Sequence, residues 1–304
     1  MEYVLETSGL SKQYKHFKAL QDCVMHVPKG AIYGFVGKNG AGKTTLIRLI
    51  CGLQRPSAGT YHLYGISYTD RGIIRSRRRM GAVVETPSIY GEMTAEQNIR
   101  EQYRILGLPS FEGIPALLET VGLSQTGKKK AKNFSLGMRQ RLGIALALAG
   151  DPDFLVLDEP INGLDPQGII EMRELILRLN REQQITFLIS SHILDELSRL
   201  ATHYGFIDKG HIIQEISAQD LENICRKYIQ VEVSDTTVLA RVMDAMKIEY
   251  EILSLHSARI YHTISVSQLV EALSSQDCQV ISLQEQDESL ESYYIRLIGG
   301  DIHE

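Results

Sequence analysis

Residues 37–44 of this chain read Gly37-Lys38-Asn39-Gly40-Ala41-Gly42-Lys43-Thr44. They match the pattern G-x-x-x-x-G-K-[ST] at every fixed position. The glycines permit a tight turn in which successive backbone N–H groups converge on a phosphate, and a helix that begins near Lys43 would add the positive end of its dipole. Lys43 offers a cation to the outer phosphates, and the Thr44 hydroxyl can bind Mg²⁺. The segment, together with the following Thr45, therefore predicts a binding loop for a nucleoside triphosphate with Mg²⁺.

Short apolar runs alternate with helical patterns on both sides of this loop. An apolar run at 31–36 precedes it, and the pattern of 44–51 is that of an amphipathic helix. Further along, a helical pattern at 169–180 lies between the apolar run 154–157 and a second strand pattern at 185–189. Strands that are apolar throughout are buried on both faces, which is typical of parallel sheets. The alternation predicts an α/β fold built on a mostly parallel sheet that helices cover.

A pair of carboxylates stands at the end of the apolar run 154–157. The sequence there is Phe154-Leu155-Val156-Leu157-Asp158-Glu159. Asp158 is placed to hold Mg²⁺ on the phosphates, and Glu159 is placed to polarise the attacking water as a general base. A polar strand end is a common feature by itself. Paired with the phosphate loop, it predicts hydrolysis of the nucleotide rather than binding alone.

Four further motifs complete a resemblance to a known family. In chain order they are Tyr14 within LSKQYKHFKAL, Asn133-Phe134-Ser135-Leu136-Gly137-Met138-Arg139-Gln140-Arg141, Asn162-Gly163-Leu164-Asp165-Pro166, and Ser190-Ser191-His192. They resemble the base-stacking aromatic residue, the signature motif, the D-loop and the switch histidine of the ATP-binding cassette (ABC) ATPases. The resemblance extends to about residue 215. It implies a P-loop NTPase cassette with an antiparallel β subdomain and a helical subdomain that carries the signature motif.

The resemblance also implies a role for each matching residue. Tyr14 would stack on the base of ATP, and His192 would contact its γ-phosphate. Ser135 and Gly137 would close on ATP bound to a second subunit, so the working unit would be a homodimer or a heterodimer of ATPase subunits. Members of this family drive an integral-membrane permease, which implies a peripheral position at the cytoplasmic face of the cell membrane.

Two departures from the family pattern point to a subgroup. The usual Ser-Gly-Gly-Gln centre of the signature motif is Ser135-Leu136-Gly137-Met138 here, and the usual Q-loop glutamine is replaced by Glu85 in GAVVETPSIY. Both departures resemble the ATPases of bacitracin transport and lantibiotic immunity, which implies export of a peptide antibiotic. Glu85 adds a carboxylate near the expected Mg²⁺. It is interpreted as a metal ligand, as a residue that couples motion, or as a plain exposed glutamate.

A change of pattern divides the chain. It predicts an ATPase domain at 1–217, whose helical subdomain spans about 88–150, and a smaller α+β domain at 218–304. In the smaller domain the strand and helix patterns follow the order β-α-β-β-α-β, with a third strand over 259–264, and a final helix is expected over 288–298. This order resembles a ferredoxin-like unit.

Composition and charge limit the functions that the chain can have. The 304 residues are 43% hydrophobic and 23% charged, which is typical of globular proteins and argues against a disordered chain. The formal net charge is −5, so the chain has no global electrostatic attraction to nucleic acid, and no nucleic-acid partner is expected. No stretch approaches the roughly 18 apolar residues of a membrane span, so the expected permease would be another chain.

Two other functions remain open at this stage. One is a soluble ABC ATPase that works on ribosomes or DNA, although proteins of that class usually carry two cassettes or a long coiled coil. The other is a regulatory module whose second domain senses a small molecule and whose ATPase acts as a timer. Co-purification with a multi-span membrane protein would separate transport from both.

Overall fold

The computed structural model describes residues 2–225, 228–261, 265–286 and 290–299. The chain forms two compact units, Met1–Ala218 and Gln219–Glu304. Within those four ranges, no helix combines the length and the apolar character that crossing a lipid bilayer requires.

The first unit combines parallel strands, antiparallel strands and helices. Its strands are β1 (Tyr3–Tyr14), β2 (Phe17–Pro28), β3 (Ile32–Val36), β4 (Ala58–Leu63), β5 (Ile66–Ser67), β6 (Met80–Val83), β7 (Phe154–Asp158), β8 (Thr186–Ser191), β9 (His203–Asp208) and β10 (His211–Ser217). Its helices are α1 (Lys43–Ile50), α2 (Ile73–Arg78), α3 (Ala95–Leu106), α4 (Ile114–Thr120), α5 (Leu136–Leu148), α6 (Pro166–Gln183) and α7 (Leu194–Ser198). The α/β class predicted from the sequence is confirmed.

A six-stranded sheet in the order β10-β9-β3-β8-β7-β6 forms the centre of this unit. Its neighbouring strands run parallel except β10, which pairs antiparallel with β9. The strands β3, β7 and β8 are buried along their full length, as their largely apolar sequences predict. Because the carboxyl ends of these neighbours lie side by side, the loop after β3, Asp158 on β7 and Ser190 on β8 come together at one edge.

A second, antiparallel sheet in the order β2-β1-β4-β5 packs its apolar residues into the same core. Leu5, Leu10 and Leu20 are buried there, and with Tyr61 they join the apolar side of α1 in one cluster. This sheet confirms the antiparallel β subdomain that the resemblance implies. The hydrophobic patterns alone do not delimit β1, because a register shift between Thr7 and Leu10 breaks the alternation of buried and exposed residues.

The segment between β6 and β7 carries the helices α3, α4 and α5. A capping box starts α3: the Gln97 backbone N–H donates to the Thr94 hydroxyl, and the Thr94 N–H donates to the Gln97 side chain. Ser135 starts α5, and its hydroxyl accepts a hydrogen bond from the first turn. Helix α5 covers β6 closely. A Cβ at Gly81 would lie 2.3 Å from the Ala147 carbonyl oxygen, so only glycine permits the contact.

Glu215 ties the last strand of the unit, β10, to two other strands. Its carboxylate accepts hydrogen bonds from the Tyr33 hydroxyl on β3 at 2.6 Å and from the His26 backbone N–H on β2 at 2.7 Å. The His26 ring atom Nδ1 lies 2.9 Å from the same carboxylate. Burial, together with the negative charge of Glu215, raises the pKa of the Tyr33 hydroxyl well above its ordinary value, so this group stays protonated and donates. Glu215 therefore joins the strand before the phosphate loop to the strand at which the unit ends.

The second unit is a small α+β structure, and the helix α8 begins at the boundary between the two units. In order, the elements are α8 (Ala218–Ile224), β11 (Tyr228–Val233), α9 (Thr236–Met246), β12 (Tyr250–Ile252), β13 (Ser257–Ile260), α10 (Val266–Ser274), β14 (Val280–Gln286) and α11 (Leu290–Leu297). The sheet has the order β12-β13-β11-β14 with antiparallel pairing throughout. This arrangement confirms the ferredoxin-like order expected from the sequence.

The core of the second unit lies between this sheet and its helices. Val231 of β11 is fully buried in a cluster with Leu239 of α9 and Leu269 of α10. The strand expected over 259–264 and the helix expected over 288–298 are present in part, as β13 and α11. Residues 262–264 and 288–289 of those expectations lie outside the described residues.

Candidate active site

The loop between β3 and α1 has a backbone that only glycine adopts easily. Gly40 has a φ of 82° and Gly42 a φ of 117°, both in the left-handed region. A Cβ at Gly42 would lie 2.8 Å from the Ala19 carbonyl oxygen, and one at Gly37 would lie 2.6 Å from that of Ile207. Residues 37 and 42 therefore allow the loop to lie directly against two neighbouring backbone segments.

The other residues of the loop divide between solvent and core. Lys38 and Asn39 are exposed, whereas Ala41 is buried, and its carbonyl oxygen accepts a hydrogen bond from the Gly210 N–H at 2.9 Å. Thr44 and Thr45 follow on α1 and are half-buried. The exposed part of the loop is thus the part that precedes the helix N-terminus, where an anion would meet the backbone N–H groups.

Lys43, the first residue of α1, directs its ammonium into the loop. The side chain is only 6% exposed. Its Nζ donates to the Gly37 carbonyl oxygen at 2.6 Å and forms an ion pair with Glu159 Oε1 at 3.2 Å. A buried ammonium needs such partners, and phosphate oxygens provide the same interaction with more negative charge. Lys43 is therefore placed to bind a phosphate group within the loop.

Asp158 ends β7 and is almost completely buried, with 2% exposure. The Ser190 hydroxyl on the neighbouring strand β8 donates to Asp158 Oδ1 at 2.5 Å. Across the part of the chain that the structure describes, Asp158 forms no ion pair. A buried carboxylate without a cation calls for a compensating positive charge. The donor set of Asp158 and the Thr44 hydroxyl consists of oxygens, as Mg²⁺ prefers, so these residues fit that ion.

Glu159 contacts both His192, the other residue predicted to act in catalysis, and Lys43, the lysine of the loop. Its Oε1 faces Lys43, and its Oε2 lies 2.8 Å from His192 Nδ1. Its backbone is in the left-handed region with a φ of 51°, and its N–H donates to Ser190 at 3.0 Å and 3.2 Å, through Oγ and the carbonyl oxygen. The carboxylate is thus held beside the phosphate loop and remains 20% exposed, which leaves access for water.

Glu85 lies after β6 and forms an ion pair with Arg48 of α1. Its φ is 61°, and its side chain is 55% exposed. The ion pair does not join Glu85 to Asp158 or Thr44. The role of Glu85 as a Mg²⁺ ligand therefore stays a prediction. Arg48 would compete with a metal ion for the Glu85 carboxylate.

Tyr14 ends β1 at the hairpin that leads to β2. Its hydroxyl donates to Gln54, and the Lys12 ammonium lies 5.2 Å from the centre of its ring. Phe17, its partner across the hairpin, is 63% exposed. The hairpin end therefore presents two aromatic side chains, and stacking of Tyr14 on the ATP base stays a prediction.

Ser135 and Gly137 lie at the exposed start of α5. In the described parts of the chain, no hydrogen bond joins either residue to the phosphate loop, Asp158 or Glu159. The D-loop lies beside them: a Cβ at Gly163 would be 3.3 Å from the Leu136 side chain. Ser135, Gly137 and the D-loop therefore lie on a part of the surface that is separate from the phosphate loop of the same chain. A contact with a second subunit would require such a surface.

Comparison with known proteins identifies the family. The family model for "ABC transporter" matches residues 20–162. The chain is 39% identical to the bacitracin transport ATP-binding protein BcrA of Bacillus licheniformis, over 99% of this chain and 99% of that protein. The chain belongs to the ATP-binding proteins of ABC transporters. The family resemblance seen in the sequence is thereby confirmed.

Two further similarities extend this ABC assignment. The lantibiotic transport ATP-binding protein SrtF of Streptococcus pyogenes is 40% identical over 73% of this chain and 94% of its own length. The crystal structure of the ADP conformation of MJ1267, an ABC transporter ATP-binding cassette, has a TM-score of 0.66 and 28% identity, covering 74% of this chain and 94% of that one. The ABC subunit described here is therefore an ATP-binding cassette of the kind that couples ATP hydrolysis to transport.

An open groove of about 970 Å³ lies beside the edge strand of this ABC cassette. One wall is β6 with Val84 and residues 86–88, and residues of α2, α3 and α5 form the rest of the lining. Gly143 of α5 allows the walls to meet, because a Cβ there would lie 2.7 Å from Pro87. Leu53, which is 64% exposed, lies at the rim. We refer to this feature as the β6 groove.

The sequence did not reveal two residues of the ABC site. In the sequence, Ser190 stands out only as a neighbour of His192, and Arg48 only as part of a helical pattern. The signal for Ser190 is a polar residue directly after the apolar centre of a strand, Thr186–Ser191. For Arg48, the spacing of four residues after Thr44 places both side chains on one face of α1.

Proposed function

We propose that this chain is the ATP-hydrolysing subunit of a transporter that exports a peptide antibiotic of the bacitracin or lantibiotic class, acting with a separate integral-membrane permease. The observation that carries the proposal is the similarity to a bacitracin transport ATP-binding protein over the whole chain, the second unit included. Glu85 and the altered signature centre support the same subgroup. In this proposal residues 1–217 are the ATPase domain, and residues 218–304 are an accessory domain.

Glu159 is the general base of the proposed hydrolysis. Its carboxylate accepts a proton from the attacking water, while His192, 2.8 Å from Oε2, holds it in place and faces the γ-phosphate. Lys43 exchanges its contact with Glu159 for the phosphates when ATP binds, which frees the carboxylate for water. Bound Mg²⁺ supplies positive charge to the phosphate oxygens, and Thr44 and Asp158 would hold it.

The signature residues make the proposed site a property of two subunits. Ser135 caps α5, so the first N–H groups of that helix are directed at its exposed end, where they can meet a γ-phosphate held by another copy. Gly137 leaves room for this approach. The proposed unit is a homodimer or a heterodimer of ATPase subunits that closes around MgATP.

The β6 groove is the proposed contact with the permease. It adjoins the segment 85–90, and its walls are partly apolar, as the groove that receives an amphipathic helix would be. A subunit that binds a permease at this groove would sit at the cytoplasmic face of the cell membrane as a peripheral protein.

The proposal is tested by co-expression with a candidate multi-span permease, sought first among the neighbouring genes. We expect the two proteins to co-purify from detergent-solubilised membranes, and we expect the pair to raise the resistance of the host to bacitracin or a lantibiotic. The variant Glu159→Gln should lose the resistance while keeping the complex.

A matched pair of surface variants tests the groove. Leu53→Glu places a charge at its rim and should reduce co-purification, whereas Leu255→Glu changes a leucine that is 81% exposed on the second unit and serves as the control. A persistently soluble dimer that recovers no membrane partner and confers no resistance would overturn the transport proposal in favour of a soluble ABC ATPase.

A further inference from the structure

We infer that the Ser190 hydroxyl is a positioning group for ATP hydrolysis, one that sets the geometry of Asp158 and Glu159 together. The inference rests on the proposed roles of Asp158 in holding Mg²⁺ and of Glu159 as the base. Ser190 lies on β8 directly opposite Asp158 of β7 and has no exposed surface. Neither ATP nor water reaches it, so it acts only through its two neighbours.

The hydrogen bonds of Ser190 have a fixed direction. The Glu159 backbone N–H can only donate, and it meets Ser190 Oγ at 3.0 Å, which occupies a lone pair of the hydroxyl. The single hydroxyl hydrogen is then directed at Asp158 Oδ1, 2.5 Å away. One oxygen atom therefore connects the carboxylate proposed to hold the metal with the backbone that carries the proposed base.

This connection selects one orientation of the Asp158 carboxylate. Oδ1 is engaged by Ser190, and in the ranges that the structure describes Oδ2 has no hydrogen-bond or ion-pair partner. Oδ2 is therefore the oxygen left to face a cation. Without the Ser190 hydroxyl the carboxylate could turn about its side-chain bonds, and the oxygen facing the phosphate loop would no longer be defined.

The same hydroxyl supports an unusual backbone at the base. The φ of 51° at Glu159 is a conformation that residues with a Cβ seldom adopt, and it directs the side chain to Lys43 and His192. The Glu159 N–H also meets the Ser190 carbonyl oxygen at 3.2 Å. That second bond survives removal of the hydroxyl, so the turn should persist in a Ser190 variant with the base less firmly held.

Three variants of the whole chain distinguish a positioning role of the Ser190 hydroxyl from a role in folding stability alone. Ser190→Ala removes the hydroxyl, and Ser190→Thr keeps it. Thr186→Ala is the matched control, because Thr186 is also buried on β8 and its hydroxyl accepts a bond from the Gly30 N–H at 2.9 Å, at the opposite end of the strand. Each variant is compared with the parent by ATP binding in a calorimeter over a series of Mg²⁺ concentrations, by kcat and KM, and by thermal unfolding.

For Ser190→Ala we expect the Mg²⁺ concentration at half-maximal ATP binding to rise by about tenfold to a hundredfold, the range found when a group that orients a metal ligand is removed. Binding of ATP without Mg²⁺ should not change, and kcat should fall more than KM rises. Ser190→Thr should restore the Mg²⁺ dependence. Thr186→Ala should lower the unfolding temperature and keep the Mg²⁺ dependence of the parent.

The inference is overturned by an unchanged Mg²⁺ dependence in Ser190→Ala, by a Ser190→Thr variant as defective as Ser190→Ala, or by the same change in Thr186→Ala. A parent protein that binds MgATP and does not hydrolyse it would contradict the proposed function instead. In that event the binding comparison still decides the role of Ser190. A parent that binds no nucleotide at all would overturn both.

Discussion

Arg48 and Glu85 form an ion pair that joins α1, the helix of the phosphate loop, to the segment that follows β6. Arg48 lies one turn after Thr44 on α1, and Glu85 lies between two residues, Val84 and Thr86, that line the β6 groove. The ion pair therefore links one wall of the groove to the helix that begins at the phosphate loop. The pair gives a physical meaning to the replacement of the usual glutamine: a carboxylate can hold a guanidinium by charge, whereas an amide cannot.

We expect Glu85→Gln to weaken the coupling between the permease and hydrolysis. The side chains of Arg48 and Glu85 are 35% and 55% exposed, so the ion pair contributes at most about 1 kcal/mol to folding, and the unfolding temperature should change little. The measurement is the stimulation of ATP hydrolysis by the co-purified permease. Arg48→Met should have the same effect, and the double variant should be no worse than either single one. A higher Mg²⁺ requirement in Glu85→Gln that is absent from Arg48→Met would make Glu85 a metal ligand instead.

Glu159→Gln should lower kcat by about 10² to 10⁴, because the amide cannot accept the proton of the water. ATP binding should survive, since Lys43 and the loop are unchanged. The ATP-bound dimer should therefore accumulate, which gel filtration with ATP measures. Glu182→Gln, a change of an exposed glutamate on α6, is the control. Hydrolysis at the parental rate in Glu159→Gln would show that another group is the base.

Lys43→Ala should remove about 2–5 kcal/mol of ATP binding free energy, the usual cost of truncating one partner of a buried charge pair. Lys43 is 6% exposed and pairs with Glu159, so its loss also leaves that carboxylate without its cation. Titration calorimetry measures the change. Lys128→Ala, at an exposed lysine outside the site, should bind ATP as the parent does. Equal affinities in the two variants would contradict the assignment of the phosphate loop.

Two glycines of the loop should respond differently to the same substitution. Gly40→Ala adds a methyl group where no atom lies within 4 Å, so it pays only for the left-handed backbone, about 1–2 kcal/mol. Gly42→Ala faces a φ of 117°, farther from the left-handed region that residues with a Cβ adopt, and it places its methyl group 2.8 Å from the Ala19 carbonyl oxygen, so the loop must shift. We expect a larger loss of stability and of ATP affinity in Gly42→Ala, by thermal unfolding and calorimetry. Equal effects would mean that the loop adapts freely at that point.

The parts of the site that could be predicted are those whose residues adjoin in the sequence. The phosphate loop is one turn followed by one helix, and Asp158 with Glu159 ends one apolar strand, so each motif defines its own geometry. The bond between Ser190 and Asp158 depends on the register of β7 against β8, which sequence spacing does not contain. The pair of Arg48 and Glu85 likewise depends on how the segment after β6 turns back towards α1.

The limits of the fold prediction have a similar physical cause. The buried strands β3, β7 and β8 are largely apolar and could be recognised directly. The strands of the antiparallel sheet contain bulges and mix polar with apolar residues, so packing rather than local pattern determines them. In the second unit, the alternation of buried and exposed residues along β11 is regular, and the order of its elements could be read.

The contacts of Glu215 determine where this chain can be truncated without loss of the ATPase fold. Every motif that names the family lies before residue 193, so a chain shortened there would look complete by its motifs. It would nevertheless leave the buried Tyr33 hydroxyl, on the strand that leads into the phosphate loop, without its acceptor. It would also lack β9 and β10, which leaves the edge of β3 open to pairing with other chains. The smallest fragment that folds as a soluble cassette should therefore retain residues up to Ser217, and deletions meant to probe the second unit should begin beyond it.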